Sequence, residues 1–192
     1  MNSHTKNFYK SIDERIHVLT KLRDPFFYKT LEKIIITLVN NIKHNTPVLI
    51  FGNGGSAADS EHFATEMLGK FLKKRSPVNF IPLTSNTSFI TAHSNDYDFS
   101  DIFSRQIKAF SNSRKITCIA LTTSGKSKNI IKGLSQSKLQ SFKTITFCGK
   151  YVNNIKKYSD FILSVPSSST PVIQEVHKFL FHYICQKLEE KI

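Results

Sequence analysis

Between Pro47 and Lys70 the sequence reads PVLIFGNGGSAADSEHFATEMLGK, an apolar run that breaks into glycines and resumes as an amphipathic pattern. Few folds accept that order. Val48 to Phe51 is short, continuously apolar and bounded by Pro47 and Gly52, which predicts a strand buried on both faces. Gly52, Asn53, Gly54, Gly55 and Ser56 form a turn, and a helix follows. Such a turn sets bare backbone N–H groups at the positive end of a helix, a ready place for phosphate.

Three phosphate-loop readings compete for GNGGSA. A Walker loop is excluded because no Lys-Ser/Thr pair follows the glycines. Gly52, Gly54 and Ala57 fit the dinucleotide pattern G-x-G-x-x-G/A, but that site also needs an acidic residue ending the next strand to hold a ribose. Here the next strand-like run, Val78 to Leu83, ends in Thr84 and Ser85. A sugar-phosphate loop remains, with Ser and Asn side chains assisting the backbone donors. On this stretch alone a tight turn without a ligand stays open beside it. His62 and Glu66 are four apart on the helix that the loop opens, so they share one face, placed one turn above the loop. An imidazole and a carboxylate there would stand beside a bound phosphosugar. A solvated i, i+4 pair is the alternative.

A length of 192 residues with 40% hydrophobic content suits one soluble globular domain. No apolar run reaches membrane-spanning length, and the charged start MNSHTKNFYKSIDER lacks the apolar core of a secretory signal. Three cysteines, Cys118, Cys148 and Cys185, are odd in number and not closely paired, and read as reduced residues of a cytoplasmic protein. The net charge of +13 is uneven. Between Ile102 and Ser159 stand twelve Lys or Arg residues (Arg114 and Lys126 among them) and no Asp or Glu, against fifteen basic and fourteen acidic residues elsewhere. These cations are scattered singly between apolar residues, without a basic-and-aromatic recognition motif. A solvated surface is therefore preferred over a nucleic-acid one.

Phe8, Ile12, Ile16 and Leu19 step along one helical face, and Phe27, Leu31, Ile34, Ile35, Leu38 and Ile42 along a second that Asp24-Pro25 begins. Helices that precede an α/β core cover it or pack on another subunit, so residues 1–45 are expected to mediate oligomerisation. Beyond the loop the alternation is regular. Strand-like VNFIPL (78–83), helical FSDIFSRQIKAF (99–110), strand-like ITCIAL (116–121), helical NIIKGLSQSK (129–138), and strand-like FKTITF (142–147) and DFILSV (160–165) follow in turn. A last helix runs from about Val172 to Glu190. This predicts an α/β fold, a doubly wound parallel-sheet sandwich with an N-terminal pair of helices, in a single domain spanning 1–192.

Ligands in such folds bind beyond the carboxyl ends of the strands. After ITCIAL comes Thr122-Thr123-Ser124-Gly125-Lys126-Ser127, hydroxyls and a glycine that can close on phosphate oxygens. The two loops hold four of the seven glycines, which concentrates glycine where a ligand should sit. After IPL come Thr84 to Ser88 and then Asn95-Asp96-Tyr97, polar groups suited to sugar hydroxyls, although helix caps explain Thr87 or Ser88 equally well. The last helix carries Gln174, Glu175, His177 and His182 among apolar residues. Gln174 and His182 are eight apart, about 80° around the helix, so both can address one site two turns long. Core histidines and ligands remain even alternatives there.

Taken together, FGNGGSAADSEHFATEM, NDYDF, LTTSGKS and IQEVHKFLFHYIC resemble the successive motifs of bacterial phosphoheptose isomerases, members of the sugar isomerase (SIS) domain superfamily, in order and over nearly the whole chain. The resemblance implies one zinc per subunit, bound through His62, Glu66, Gln174 and His182. It implies that Asn53, Gly54, Gly55, Ser56, Thr122, Thr123, Ser124 and Ser127 contact a sugar phosphate, with Asn95 and Asp96 at the substrate alongside Glu66 and Gln174. It implies a homotetramer with sites shared across subunits. The activity expected is isomerisation of sedoheptulose 7-phosphate to D-glycero-D-manno-heptose 7-phosphate for bacterial lipopolysaccharide or capsule, with Glu66 as base and His182 as partner acid/base. Lys70 and Val172 stand where the family often has Arg, and Lys70 lacks the forked donor geometry of Arg. A non-catalytic SIS adaptor for a protein partner such as a replication initiator is the alternative, disfavoured by the intact set of four.

Overall fold

The computed structural model describes residues 2–111 and 115–192; Arg114 of the basic half lies outside the described residues. Helices α1 (Ser3–Lys21) and α2 (Pro25–Lys43) come first. Asp24 caps α2, its carboxylate accepting from the Phe26 and Phe27 N–H groups at 3.2 Å each, with Pro25 at the first helical position, where its missing donor costs nothing. Then follow β1 (Val48–Gly52), α3 (Gly55–Leu68), β2 (Phe80–Pro82), α4 (Thr87–Asp96), α5 (Ile102–Lys108), β3 (Thr117–Thr122), α6 (Lys128–Leu139), β4 (Lys143–Cys148), β5 (Phe161–Ser164) and α7 (Thr170–Glu189).

The five strands form one parallel sheet in the order β2-β1-β3-β4-β5. Alternate strand residues feed two cores. Val48, Ile50, Ile119, Leu121, Ile145 and Phe147 join α2, α3 and α7 on one face. Leu49, Phe51, Cys118, Ala120 and Cys148 join α5 and α6 on the other. The sandwich is therefore doubly wound, as the alternation predicts. Winding reverses between β1 and β3, and the carboxyl ends at that switch point are where such sheets bind ligands.

Three expectations need correction. The run Val78 to Leu83 forms a strand only over Phe80–Pro82, with Leu83 N–H still donating to the Ile50 carbonyl at 2.8 Å, and Pro82, which has no N–H, is tolerated on this edge strand. Phe99 opens a 3₁₀ turn, Phe99–Asp101, before α5 begins at Ile102. The polar stretch after β2 does open a helix, but the cap is Asn86 rather than Thr87 or Ser88, since Asn86 accepts from the Phe89 N–H at 3.0 Å and starts α4. Its Thr- and Ser-rich sequence carries little helical periodicity, so the cap was the only local signal.

Val18 is the one buried residue of α1, and Phe8 and Ile16 remain 64% and 56% exposed. Arg15 ties the helix to α7 by donating to both Glu175 oxygens at 2.6 and 2.8 Å. Among the described residues no helix is long and apolar enough to cross a membrane.

Candidate active site

Two loops meet at the switch point. Gly54 takes φ +56, a conformation that side chains rarely adopt, and lets the chain turn from β1 straight into α3. At Gly55 the need is space, since a Cβ there would lie 2.5 Å from Gln174 Nε2. Asn53 and Asn129, the latter buried at the start of α6, exchange paired amide hydrogen bonds of 2.8 Å each. That clasp joins the first loop to the helix that the second loop opens. In the second loop Gly125, at φ +63, donates to Thr122 Oγ1 at 3.2 Å, and a Cβ on it would collide with the Tyr151 carbonyl. Asn53 to Ser56, Thr122 to Ser124, Ser127, Thr170 and Gln174 line a cleft of about 280 Å³.

Because α3 begins inside the glycines at Gly55, His62 stands seven residues from the helix start, two turns rather than one. At 1.5 Å per residue that is about 10 Å from the phosphate loop. Helix α7 runs alongside in the same direction, with Gln174 against Gly55 and His182 against His62. His62 Nε2 lies 2.9 Å from Glu66 Oε1 and 3.4 Å from His182 Nε2, and donor atoms of all three residues lie within 4.8 Å of one another. Burial, reinforced by the neighbouring His62, outweighs the pull of Glu66 and pushes the His182 pKa down, in favour of the uncharged ring.

Two imidazole nitrogens and a carboxylate oxygen suit zinc. Zinc–nitrogen bonds of 2.0–2.1 Å at tetrahedral angles separate donors by roughly 3.3 Å, close to the 3.4 Å between the two Nε2 atoms. The residues present therefore fit the ion.

Residues 7–149 match the SIS domain family. The chain is 38% identical over 189 residues to the phosphoheptose isomerase of Clostridium acetobutylicum, covering 97% of this chain and 96% of that one. It is 42% identical over 151 residues to that of Aquifex aeolicus, covering 79% and 78%. The chain belongs to the phosphoheptose isomerases of the SIS-domain family. Solved phosphoheptose isomerases superpose throughout. That of Francisella tularensis gives a TM-score of 0.90 at 27% identity, over 99% of this chain and 100% of its own, and that of Neisseria gonorrhoeae gives 0.89 at 28%, over 98% and 100%.

Within this phosphoheptose isomerase fold, not every residue singled out from sequence comes together. Asn95 and Asp96 end α4, exposed and bonded to each other at 3.0 Å, and do not line the cleft of their own chain. The amide of Asn53 is largely committed to Asn129. His177 faces Phe147 in the core, with neither ring nitrogen hydrogen-bonded. Asn129 and Thr170 escaped sequence reasoning; the only available signal was their position at the start of a helix after a strand. Lys70 is exposed and Val172 is core. Several cations of the basic half are engaged locally, Lys132 with Asp101 and Lys138 with Asp160 at 2.8 Å each, and Lys126 and Lys150 over the Tyr151 ring.

Proposed function

We propose that the chain isomerises sedoheptulose 7-phosphate to D-glycero-D-manno-heptose 7-phosphate, as the names of its relatives imply, at the site where α3 and α7 run side by side. One observation carries the reading. The same two helices present a phosphate cleft at one end and His62, Glu66 and His182 about two turns along. An open seven-carbon sugar phosphate, with phosphate at one end and the reacting C1 and C2 at the other, spans a comparable length.

In this reading the backbone N–H groups of the first loop and the hydroxyls of Thr122, Thr123, Ser124 and Ser127 hold the phosphate, and Asn53 contributes its free N–H. The Glu66 carboxylate takes a proton from C1 of the ketose, the C1–C2 bond becomes an enediol, and Glu66 returns the proton to C2. The oxygen-bound proton passes from O1 to O2 with His182 as the partner acid/base, its Nε2 lone pair serving either that proton or zinc and not both at once. His62, Glu66 and His182, with Gln174 as the fourth donor, would hold one zinc per subunit, which when bound supplies positive charge at the two reacting oxygens. The buried free thiols Cys118, Cys148 and Cys185 suit the reducing cytoplasm.

The test is a coupled assay with sedoheptulose 7-phosphate on purified protein, with and without zinc, beside Glu66→Gln. Wild-type turnover that Glu66→Gln lowers by about 10²- to 10⁴-fold, the usual contribution of a positioned base, supports the assignment. Full activity in the variant refutes the role of Glu66, and no activity on this sugar refutes the substrate.

A further inference from the structure

The last carbonyls of a helix have no donors within it. At the end of α3 those of Glu66 and Met67 accept from Arg75 Nη2 and Nη1 at 2.6 and 2.7 Å. A cation there also meets the negative end of the helix dipole. Arg75 Nε donates to Glu189 Oε1 at 3.1 Å, and the two side chains are only 9% and 2% exposed. Glu189 closes α7 and accepts in addition from the backbone N–H groups of Phe71, Leu72 and Lys73 at 2.9, 2.8 and 3.0 Å. A buried carboxylate is tolerated only when paired and hydrogen-bonded in this way. The pair thereby clamps the loop 69–76 across the ends of the two helices that carry the candidate cluster.

That clamp presents one ring to the site. Phe71 stacks on His182 with centroids 5.4 Å apart and planes at 27°, while His182 turns Nε2 toward His62. We propose that Arg75 and Glu189 are positioning residues for the reaction: they seat Phe71 on the His182 imidazole and fix the end of α3 under Glu66, and so set how the donor atoms of His62, Glu66 and His182 meet. This rests on reading those three as the metal and proton-transfer set. A purely structural ion pair would move stability and leave the cluster alone.

The experiment uses Arg75→Met, Glu189→Gln and Phe71→Leu in the full chain, with Arg75→Lys as the milder replacement should Arg75→Met not fold. Lys keeps the charge but cannot reach two carbonyls and a carboxylate together. With ¹³C-labelled histidine and no metal present, the Cε1–H resonance of His182 should lie upfield from the Phe71 ring current and lose that shift in the Arg75 and Glu189 variants. Zinc titrated into each variant should bind about 10- to 100-fold more weakly than to wild type, the usual loss when groups that orient metal ligands are removed. Phe71→Leu, which keeps the ion pair, should show the same weakening. An unmoved His182 resonance in both Arg75 and Glu189 variants, or unchanged zinc affinity in Phe71→Leu, overturns the proposal. A wild-type chain that takes up no zinc refutes the metal reading, and the resonance still decides the positioning.

Discussion

His62 and His182, 120 positions apart, meet Nε2 to Nε2 at 3.4 Å, with Glu66 Oε1 2.9 Å from the first of them. Two neutral imidazoles can share such a contact only if one gives up its acceptor role, whereas a cation between them uses both lone pairs. Zinc should therefore stabilise the folded chain by mass action, by about 4 kcal/mol at a thousandfold excess over Kd. Thermal unfolding with added zinc and then with excess chelator checks this. The midpoint should rise and fall reversibly in wild type and stay fixed in His62→Ala.

Gly55 gives a sharper probe of the cleft. Its φ is not positive, so alanine suits the helix start, and the atom in the way of a Cβ is the far end of the Gln174 side chain, 2.5 Å off. That amide can swing aside at little cost to the fold. Gly55→Ala is expected to leave the melting temperature within a few degrees of wild type while kcat/KM falls at least about tenfold, roughly 1.4 kcal/mol of transition-state stabilisation. An active, equally stable variant would remove Gln174 from the site.

How much of this was legible in the sequence follows from what each feature depends on. Strands buried on both faces announce themselves as continuous apolar runs, and β1, β3 and β4 appear within a residue or two of where periodicity puts them. The loop and the His62/Glu66 pair are local, so spacing finds them. Arg75 and Glu189 are ordinary charges in sequence and become a buried pair only when residues 114 positions apart close the loop against two helix ends. Phe71 likewise gains meaning only from His182. Helix α4 failed to show because Thr and Ser fill its surface, leaving Asn86 as a cap with little pattern behind it.

Assembly is the next expectation. Phe8, Ile12, Ile16 and Leu19 stay exposed on α1, beside Phe179 on α7, and Ile16, Leu19, Phe27, Tyr28, Phe179 and Tyr183 help line an apolar groove of about 700 Å³. A patch of that kind marks a protein–protein surface. We expect a homotetramer in which Asn95 and Asp96 reach a neighbour's cleft. Light scattering should give four times 21.9 kDa, and Ile16→Glu with Leu19→Glu should dissociate the assembly and lower turnover together. A wild-type monomer at micromolar concentration would refute it.

His177 sets the last expectation, on pH. Its ring is wholly buried on α7 against Phe147, with no hydrogen-bond partner at either nitrogen. Burial drives its pKa down to about 4; the Cys148 backbone pulls weakly the other way without reaching hydrogen-bond geometry. In the unfolded chain the same ring titrates near its ordinary value of about 6.5. The unfolded state therefore binds the extra proton first as pH falls. Stability is unaffected well above pH 6.5, declines below it, and by pH 5 has lost about 2 kcal/mol through this group, with the decline ending once the folded-state value is passed. Urea unfolding at fixed protein concentration from pH 7.5 to 5 should show that loss in wild type, and the difference between wild type and His177→Leu should carry the slope. A difference independent of pH would mean that the buried ring does not resist protonation.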